Sequence, residues 1–208
     1  MFITLEGPDG SGKSTQAALL VKFLQAQSRA VIHTREPGGT PIGDQIRGVV
    51  HNLDNTEMHP HTEVLLYVAS RAQLVAQVIR PALDDGKLVI CDRYADSTLA
   101  YQGYGHGLDL TALHALLNFA TGGLIPDLTL YFDISAEEGL KRRQGDAADG
   151  GEYNRLDDYP LDFHQKVREG YAELIRAEPR RWAVIDAARS VEAVHQAVQT
   201  IINERLGT

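Results

Sequence analysis

Short apolar and β-branched runs alternate along this chain with longer stretches whose apolar positions recur every three or four residues. The runs Phe2–Glu6, Ala30–Thr34, Lys87–Cys91, Leu128–Phe132 and Trp182–Ile185 predict strands. Helices are expected near Lys13–Gln27, Pro41–His51, Thr62–Asp84, Leu110–Thr121, Ala136–Arg143, Leu161–Ala177 and Val191–Arg205. Within Leu161–Ala177 the residues Leu161, His164, Val167, Tyr171, Leu174 and Ile175 share one helical face. Asp109 and Ser190 stand where N-caps belong, since a short side-chain oxygen can accept a free first-turn N–H. Five strands alternating with helices predict an α/β fold of three layers, a five-stranded parallel sheet covered on both faces. The stretch Gln144–Glu152, rich in Gly, Asp and Ala, has nothing apolar to anchor it and reads as a mobile loop.

Composition narrows the function classes. With 208 residues and no Pro-rich or Ser-rich linker, residues 1–208 read as a single domain. A net charge of −8 argues against a nucleic-acid partner, which would need a basic face. It leaves room for a small phosphorylated ligand held by a few arginines in a cleft. No run is long and apolar enough for a bilayer, so no membrane partner is expected. One cysteine, Cys91, cannot form an internal disulfide and suits a reducing, cytoplasmic setting.

The chemistry begins at Gly7-Pro8-Asp9-Gly10-Ser11-Gly12-Lys13-Ser14-Thr15, which satisfies the pattern G-x-x-x-x-G-K-[S/T] between a predicted strand and a predicted helix. Glycines let successive N–H groups converge on an anion, and the following helix adds the positive end of its dipole. Lys13 can reach phosphate oxygens, and the Ser14 hydroxyl can ligate Mg²⁺. Two strands end in acids, Asp92 and Asp133, at the sheet edge where open parallel sheets hold ligands. Asp92 reads as a carboxylate near the metal and Asp133 as a helix cap.

A cradle alone does not separate a kinase from a GTPase switch, but the segments that follow do. Glu6–Thr15, TREPGGT at Thr34–Thr40, Ser70-Arg71, Cys91–Gly103, Pro126–Asp133, NRLD at Asn154–Asp157 and the spacing from Phe163 to Tyr171 together resemble thymidylate kinases of the bacterial type, across nearly the whole chain. The resemblance implies a P-loop NTPase fold with a mobile lid at about 142–156, and transfer of the γ-phosphate of ATP to thymidylate with Mg²⁺. It implies that Arg93 and Arg47 grip the acceptor phosphate, and that Asp9 and Glu36 sit near the sugar 3′-hydroxyl and the metal. Tyr67 and Arg71, four apart on one helix, would face the base by stacking and by a hydrogen bond, where relatives often carry Phe in place of Tyr67. Thr98 and Gln102 would read the base edge, and Tyr101 would crowd the 2′ position. With no arginine at Pro8, Asp9 or Ser11, and with Arg142, Arg143 and Arg155 flanking Gln144–Glu152, the chain resembles those thymidylate kinases in which lid arginines meet the transferring phosphoryl group, and the resemblance implies first Arg143 and then Arg155 for that role. A homodimer built on helix faces is also implied. His51, His59 and His61 lack partner acids or cysteines at ligand spacing and read as a surface loop. Cys91 and Trp182 read as core residues.

Overall fold

The computed structural model of the chain describes residues 1–148 and 154–207. Five strands, β1 (Phe2–Glu6), β2 (Val31–Arg35), β3 (Leu88–Asp92), β4 (Leu128–Asp133) and β5 (Trp182–Asp186), form one sheet in the order β2-β3-β1-β4-β5. Every neighbouring pair is parallel, with registers such as Ile3 opposite Ile90 and opposite Leu128. The expected sheet is therefore present. Strand order reverses beside β1, and this topology opens a crevice at the carboxyl ends of β1 and β3.

Side-chain parity along the strands divides the core in two. On one face Ile3, Leu5, Ile90, Leu130 and Phe132 pack with Leu20 and Leu24 of α1 (Lys13–Ala26) and with Val198 and Ile202 of α9 (Val191–Leu206). On the other, Phe2, Val89, Cys91 and Tyr94 meet Leu74, Val75 and Ile79. A third cluster of Tyr101, Tyr131, Phe163, Val167, Tyr171 and Trp182 seats α8 (Leu161–Ala177) beside the crevice. On α8 the buried face is Phe163, His164, Val167, Gly170 and Tyr171, while Leu161 at its first turn is 39% exposed. The expected caps form: Asp109 accepts from Ala112 N at the start of α6 (Leu110–Thr121), and Ser190 from Ala193 N.

Several boundaries differ from those the sequence predicts, each for a local reason. The long helix expected over Thr62–Asp84 begins at Pro60 and runs as α3 (Pro60–Leu74), a π-helical turn over Val75–Ile79, and α4 (Arg80–Asp84). Pro81 has no N–H to donate to the preceding turn, and the wider π turn absorbs the mismatch. No helix is predicted between Ala95 and Gly105, yet α5 (Ala95–Thr98) runs into a π-helical segment, Leu99–Gly105. Its glycines hide it from pattern reading. A 3₁₀ turn, Arg155–Asp158, is closed by a capping box between Asn154 and Asp157. Asp133 does not cap the next helix. Ser135 accepts Glu138 N there, and Asp133 takes two hydrogen bonds from Arg168. That helix, α7, spans Ala136–Ala148, so Gln144–Ala148 continues it where a mobile loop is expected. A single helical glycine at 145 costs only about 1 kcal/mol, too little to end the helix there. Residues 149–153 of the expected lid lie outside the described residues. Among those described, no helix is long and apolar enough to cross a membrane.

Two contacts fix the crevice walls. A Cβ on Gly10, at φ +74°, would lie 2.1 Å from Gly139 O, and one on Gly139 would lie 2.6 Å from Asp9 O. The glycine-rich loop and α7 thus touch backbone to backbone. Glu6, wholly buried at the end of β1, accepts the Tyr94 N–H (2.8 Å) and the hydroxyls of Ser97 (2.6 Å) and Tyr171 (2.8 Å). Burial first, and then nearby Asp96, raise its pKa from an ordinary 4.5 to about 7, against the lowering pull of Arg93 and the two hydroxyls.

Gly139→Ala should lower stability by about 1–3 kcal/mol in urea melts, because backbone must give way. Gly145→Ala on the same helix meets nothing within 4 Å and should hold or gain up to about 1 kcal/mol. A loss of equal size in both would remove the contact as the cause. The folded chain keeps the Glu6 proton to about pH 7, whereas the unfolded chain releases it near pH 4.5. Its contribution therefore favours folding at low pH and fades as pH rises through about 7. The stability of the wild type relative to Glu6→Gln should decline over that window. A difference that stays flat with pH would show Glu6 ionised throughout.

Candidate functional site

The crevice holds a cavity of about 430 Å³ lined by the glycine-rich loop, α3, the end of β3, the Leu99–Gly105 turn and α7. Gly12, at φ +85°, turns the chain from the loop into α1, so the first backbone N–H groups of that helix face the cavity floor. Lys13 is buried and donates to Gly7 O (2.9 Å), Pro8 O (2.7 Å) and Ser11 Oγ (3.2 Å). Burial and then the Arg93 charge lower its pKa to about 8, while Asp9 and Asp92 resist. Gly10, Gly12, Ser14 and Thr15 line the cavity with it, whereas Gly7, Pro8 and Ser11 shape the loop from behind.

Arg93 sits at φ +68°, a left-handed conformation that costs a non-glycine residue about 1–3 kcal/mol. Its surroundings hold it there. Its N–H donates to Leu5 O, and its guanidinium donates to Asp9 Oδ1 (2.7 Å), Tyr101 Oη (3.1 Å), Ser97 Oγ (3.1 Å) and Tyr171 Oη (3.4 Å). Tyr101 in turn donates to Asp9 Oδ2 (2.8 Å), with the Arg93 guanidinium 4.9 Å from the centre of its ring. Burial alone would raise the Asp9 pKa, but Arg93, then Lys13 and the Tyr101 hydroxyl hold it well below the usual range.

Ser14 Oγ donates to Asp92 Oδ2 at 2.6 Å, and both residues line the cavity. A hydroxyl and a carboxylate side by side are hard oxygen donors of the kind Mg²⁺ takes alongside nucleotide phosphates. Among the described residues no group of three or more His, Cys, Asp or Glu could hold a metal unaided. A Mg²⁺ here would therefore draw its remaining ligands from phosphate oxygens and water.

The far wall carries the residues expected to meet sugar and base. Tyr67 and Arg71 of α3 both line the cavity. Arg71 is buried and donates through Nε to Glu36 Oε2 (2.7 Å), to Thr98 Oγ1 (3.0 Å) and to Tyr94 O (2.9 Å), and its Nη2 also lies 2.5 Å from Glu36 Oε2, which leaves one N–H, on Nη1. Burial raises the Glu36 carboxyl and Arg71 opposes it. Glu36 Oε1, buried at the cavity edge, has no hydrogen-bond partner among the described residues. Gln102 lines the wall and gives its amide N–H to Glu63 Oε1 (2.8 Å). Arg47 also lines the cavity and donates to Pro37 O.

The two expected lid arginines part company. Arg143 lines the cavity, with its Nε bonded to Asp157 Oδ1 (2.9 Å). Arg155 is buried elsewhere, its guanidinium taken up by Glu63 and the Tyr159 hydroxyl (2.7 Å), so it does not face the cavity. The 3₁₀ turn explains the difference, since it aims Arg155 at α3 while its neighbour Asp157 tethers Arg143. Arg142 points away, to Glu138 and Ala187 O. His51 closes α2 (Pro41–His51) and lines the cavity, and His61 lies in the first turn of α3, so the surface-loop reading holds only for His59, exposed just before that helix. Cys91 is buried, and burial pushes its thiol well above its ordinary value. Arg35, Ser97 and Asn154 also line the cavity without having been singled out from sequence, and Glu6, Glu63 and Tyr171 support it from behind. Glu6 and Tyr171 stood inside recognisable segments, but nothing in their spacing signalled a shared hydrogen-bond network.

The thymidylate kinase family model matches residues 5–198. The whole chain is similar to the thymidylate kinase of Roseiflexus sp. (strain RS-1), with 55% identity over 96% of that protein. Identity to the thymidylate kinase of Bacillus licheniformis is 47%, over 99% of this chain and 96% of the relative. In three dimensions the chain resembles the crystal structure of thymidylate kinase from Ehrlichia chaffeensis, with a TM-score of 0.77 and 31% identity over 97% of this chain and 98% of that one. A phosphate cradle, a facing arginine and relatives matched end to end lead to one conclusion: the chain belongs to the thymidylate kinase family.

Proposed function

We infer that the cavity holds ATP at the glycine-rich loop and thymidylate against α3 and the Leu99–Gly105 turn, and that the γ-phosphate passes between them to give ADP and thymidine diphosphate. The observation that carries this reading is the position of Arg93 between the cradle and the base-sized wall, within one cavity. Lys13 would leave its loop carbonyls for the β- and γ-phosphates, where its charge matches theirs. Arg93, with Arg47 nearby, would hold the acceptor phosphate by its planar fork. That phosphate is already largely ionised near neutral pH, with a second pKa of about 6, and needs no strong base.

Asp9 and Tyr101 would keep Arg93 aimed while the acceptor docks, and Tyr101 would close the space at the sugar 2′ position. Glu36 Oε1, an acceptor with no donor among the described residues, suits the 3′-hydroxyl of a deoxyribose. Tyr67 would stack on thymine and the spare Nη1–H of Arg71 would meet a ring carbonyl, with Thr98 and Gln102 along the same edge. Ser14 and Asp92 would hold Mg²⁺, which neutralises charge on the transferring phosphates. Arg143 is the arginine that would meet charge spreading over the equatorial oxygens in the transition state. Arg155 is kept from that role by Glu63 in this arrangement. A homodimer suits the exposed Phe119 of α6 (87% exposed) and Leu65 of α3 (56% exposed), on helices that pack together. The lone buried Cys91 suits a cytoplasmic setting.

Side-by-side assays with dTMP, dUMP, dCMP, dGMP and AMP should show dTMP preferred, and a better acceptor than dTMP would overturn the assignment. Lys13→Ala and Arg93→Ala should each lower kcat/KM by about 10²–10⁴-fold with the chain still folded, and near-wild-type turnover would remove the assigned role. Arg143→Ala should lower kcat more than it weakens ATP binding. Equal losses in both would make it a binding residue only.

A further inference from the structure

Gln102 is the wall residue whose amide could present either of two faces to a base. A primary amide offers a carbonyl acceptor on one side and an NH₂ donor on the other, nearly equal in shape. Which face points into the cavity decides which base edge is accepted. A thymine or uracil ring carries a hydrogen on N3 and needs an acceptor there, whereas a cytosine ring has a bare N3 and needs a donor.

The side chain behind Gln102 settles the choice. Glu63 lies on the first turn of α3, almost wholly buried, and does not line the cavity. Its Oε1 takes the Gln102 Nε2–H at 2.8 Å. Its Oε2 is bonded to the Arg155 guanidinium, with the Tyr159 hydroxyl at 3.5 Å, and His106 Nε2 stands 3.3 Å from Oε1. An ionised carboxylate can only accept, so it rejects the carbonyl end of Gln102 and binds the NH₂ end. Beside Arg155 the carboxylate stays ionised: burial would raise its pKa, but the adjacent His106 imidazole and the hydrogen bonds from Arg155 and Gln102 outweigh burial and lower it. The Gln102 carbonyl oxygen is left for the cavity.

We propose that Glu63 is a specificity-positioning residue: by holding the Gln102 NH₂ group it presents the Gln102 carbonyl to the acceptor base, and so selects pyrimidines with an N3–H over those with a bare N3. The proposal deepens the thymidylate reading and rests on Gln102 facing the base. It also gives Arg155 a task in keeping with its buried position, as the cation that keeps Glu63 charged.

The test compares dTMP, dUMP and 5-methyl-dCMP as acceptors at saturating ATP. The first and last differ only in the exchange of groups at N3 and C4. In Glu63→Gln the neutral amide accepts either orientation of Gln102. The preference for dTMP over 5-methyl-dCMP in kcat/KM should fall about tenfold or more, mainly through KM, with the dTMP-to-dUMP ratio within about twofold of wild type. Glu63→Asp keeps a carboxylate and should restore most of the preference. Equal losses on all three substrates in Glu63→Gln would leave Glu63 a merely structural residue and overturn the proposal. Gln102→Leu separates the two readings. If it leaves the dTMP preference intact, Gln102 does not face the base and the site assignment itself fails. If it lowers the preference and Glu63→Gln does not, only the role of Glu63 fails. Should Glu63→Gln not fold, the wild type supplies the measurement. Its Gln102 side-chain ¹⁵NH₂ resonances, assigned by their loss in Gln102→Leu, should exchange far more slowly than those of a free glutamine, and fast exchange would overturn the proposal.

Discussion

The salt bridge between Asp9 and Arg93, 2.7 Å long and largely buried, joins the glycine-rich loop to the end of β3. A buried ion pair contributes little net stability, because desolvating both partners offsets most of their attraction. Its effect is positional. Arg93 occupies a left-handed backbone conformation that its own chemistry disfavours, and four side chains from three parts of the chain converge to hold it there. Two of those, Ser97 and Tyr171, are themselves tied to the buried carboxyl of Glu6. The strained residue, the cradle and the first strand therefore form one network, and the rest of the cleft is arranged around it.

A chain with a net charge of −8 concentrates Lys13, Arg35, Arg47, Arg71, Arg93 and Arg143 around one cavity. Each cation that faces it has a local acceptor: loop carbonyls for Lys13, Asp9 for Arg93, Glu36 for Arg71 and Asp157 for Arg143. The charges are thereby oriented and kept from repelling one another, as phosphate binding requires. The cavity gathers cations on a chain of negative net charge, which is why that net charge argues against a nucleic-acid partner without arguing against nucleotides.

The two arginines flanking residues 144–154 show how a small turn reassigns chemistry. Both have the charge and reach to meet a phosphoryl group. The capping box of the 3₁₀ turn sends Asp157 toward Arg143 and Arg155 toward Glu63, so only one of them faces the cavity. Helix α7 extends one turn past Arg143, and its backbone contact with the cradle through Gly10 and Gly139 sets where that arginine stands.

Strand–helix alternation, the phosphate loop and most of the residues lining the cavity were legible in the sequence, because each depends on local pattern or on contiguous motifs. All five strands lie within one residue of their expected bounds, and Tyr67 and Arg71 share the wall that their spacing of four implied. The π-helical turns were hidden because glycine and proline there read as punctuation, and α7 outran its expected end because Gly145 reads as a breaker although a helix tolerates a single glycine. The supporting roles of Glu6, Glu63 and Tyr171 carried no signal, since each works through partners 39 to 165 residues away. By itself, then, the sequence determined that phosphates are bound, on what fold, and by which family of side chains. Only the tertiary structure decided which arginine turns inward and which way an amide faces. Such orientations depend on carboxylates brought from distant segments, and a carboxylate accepts hydrogen bonds wherever the fold delivers it.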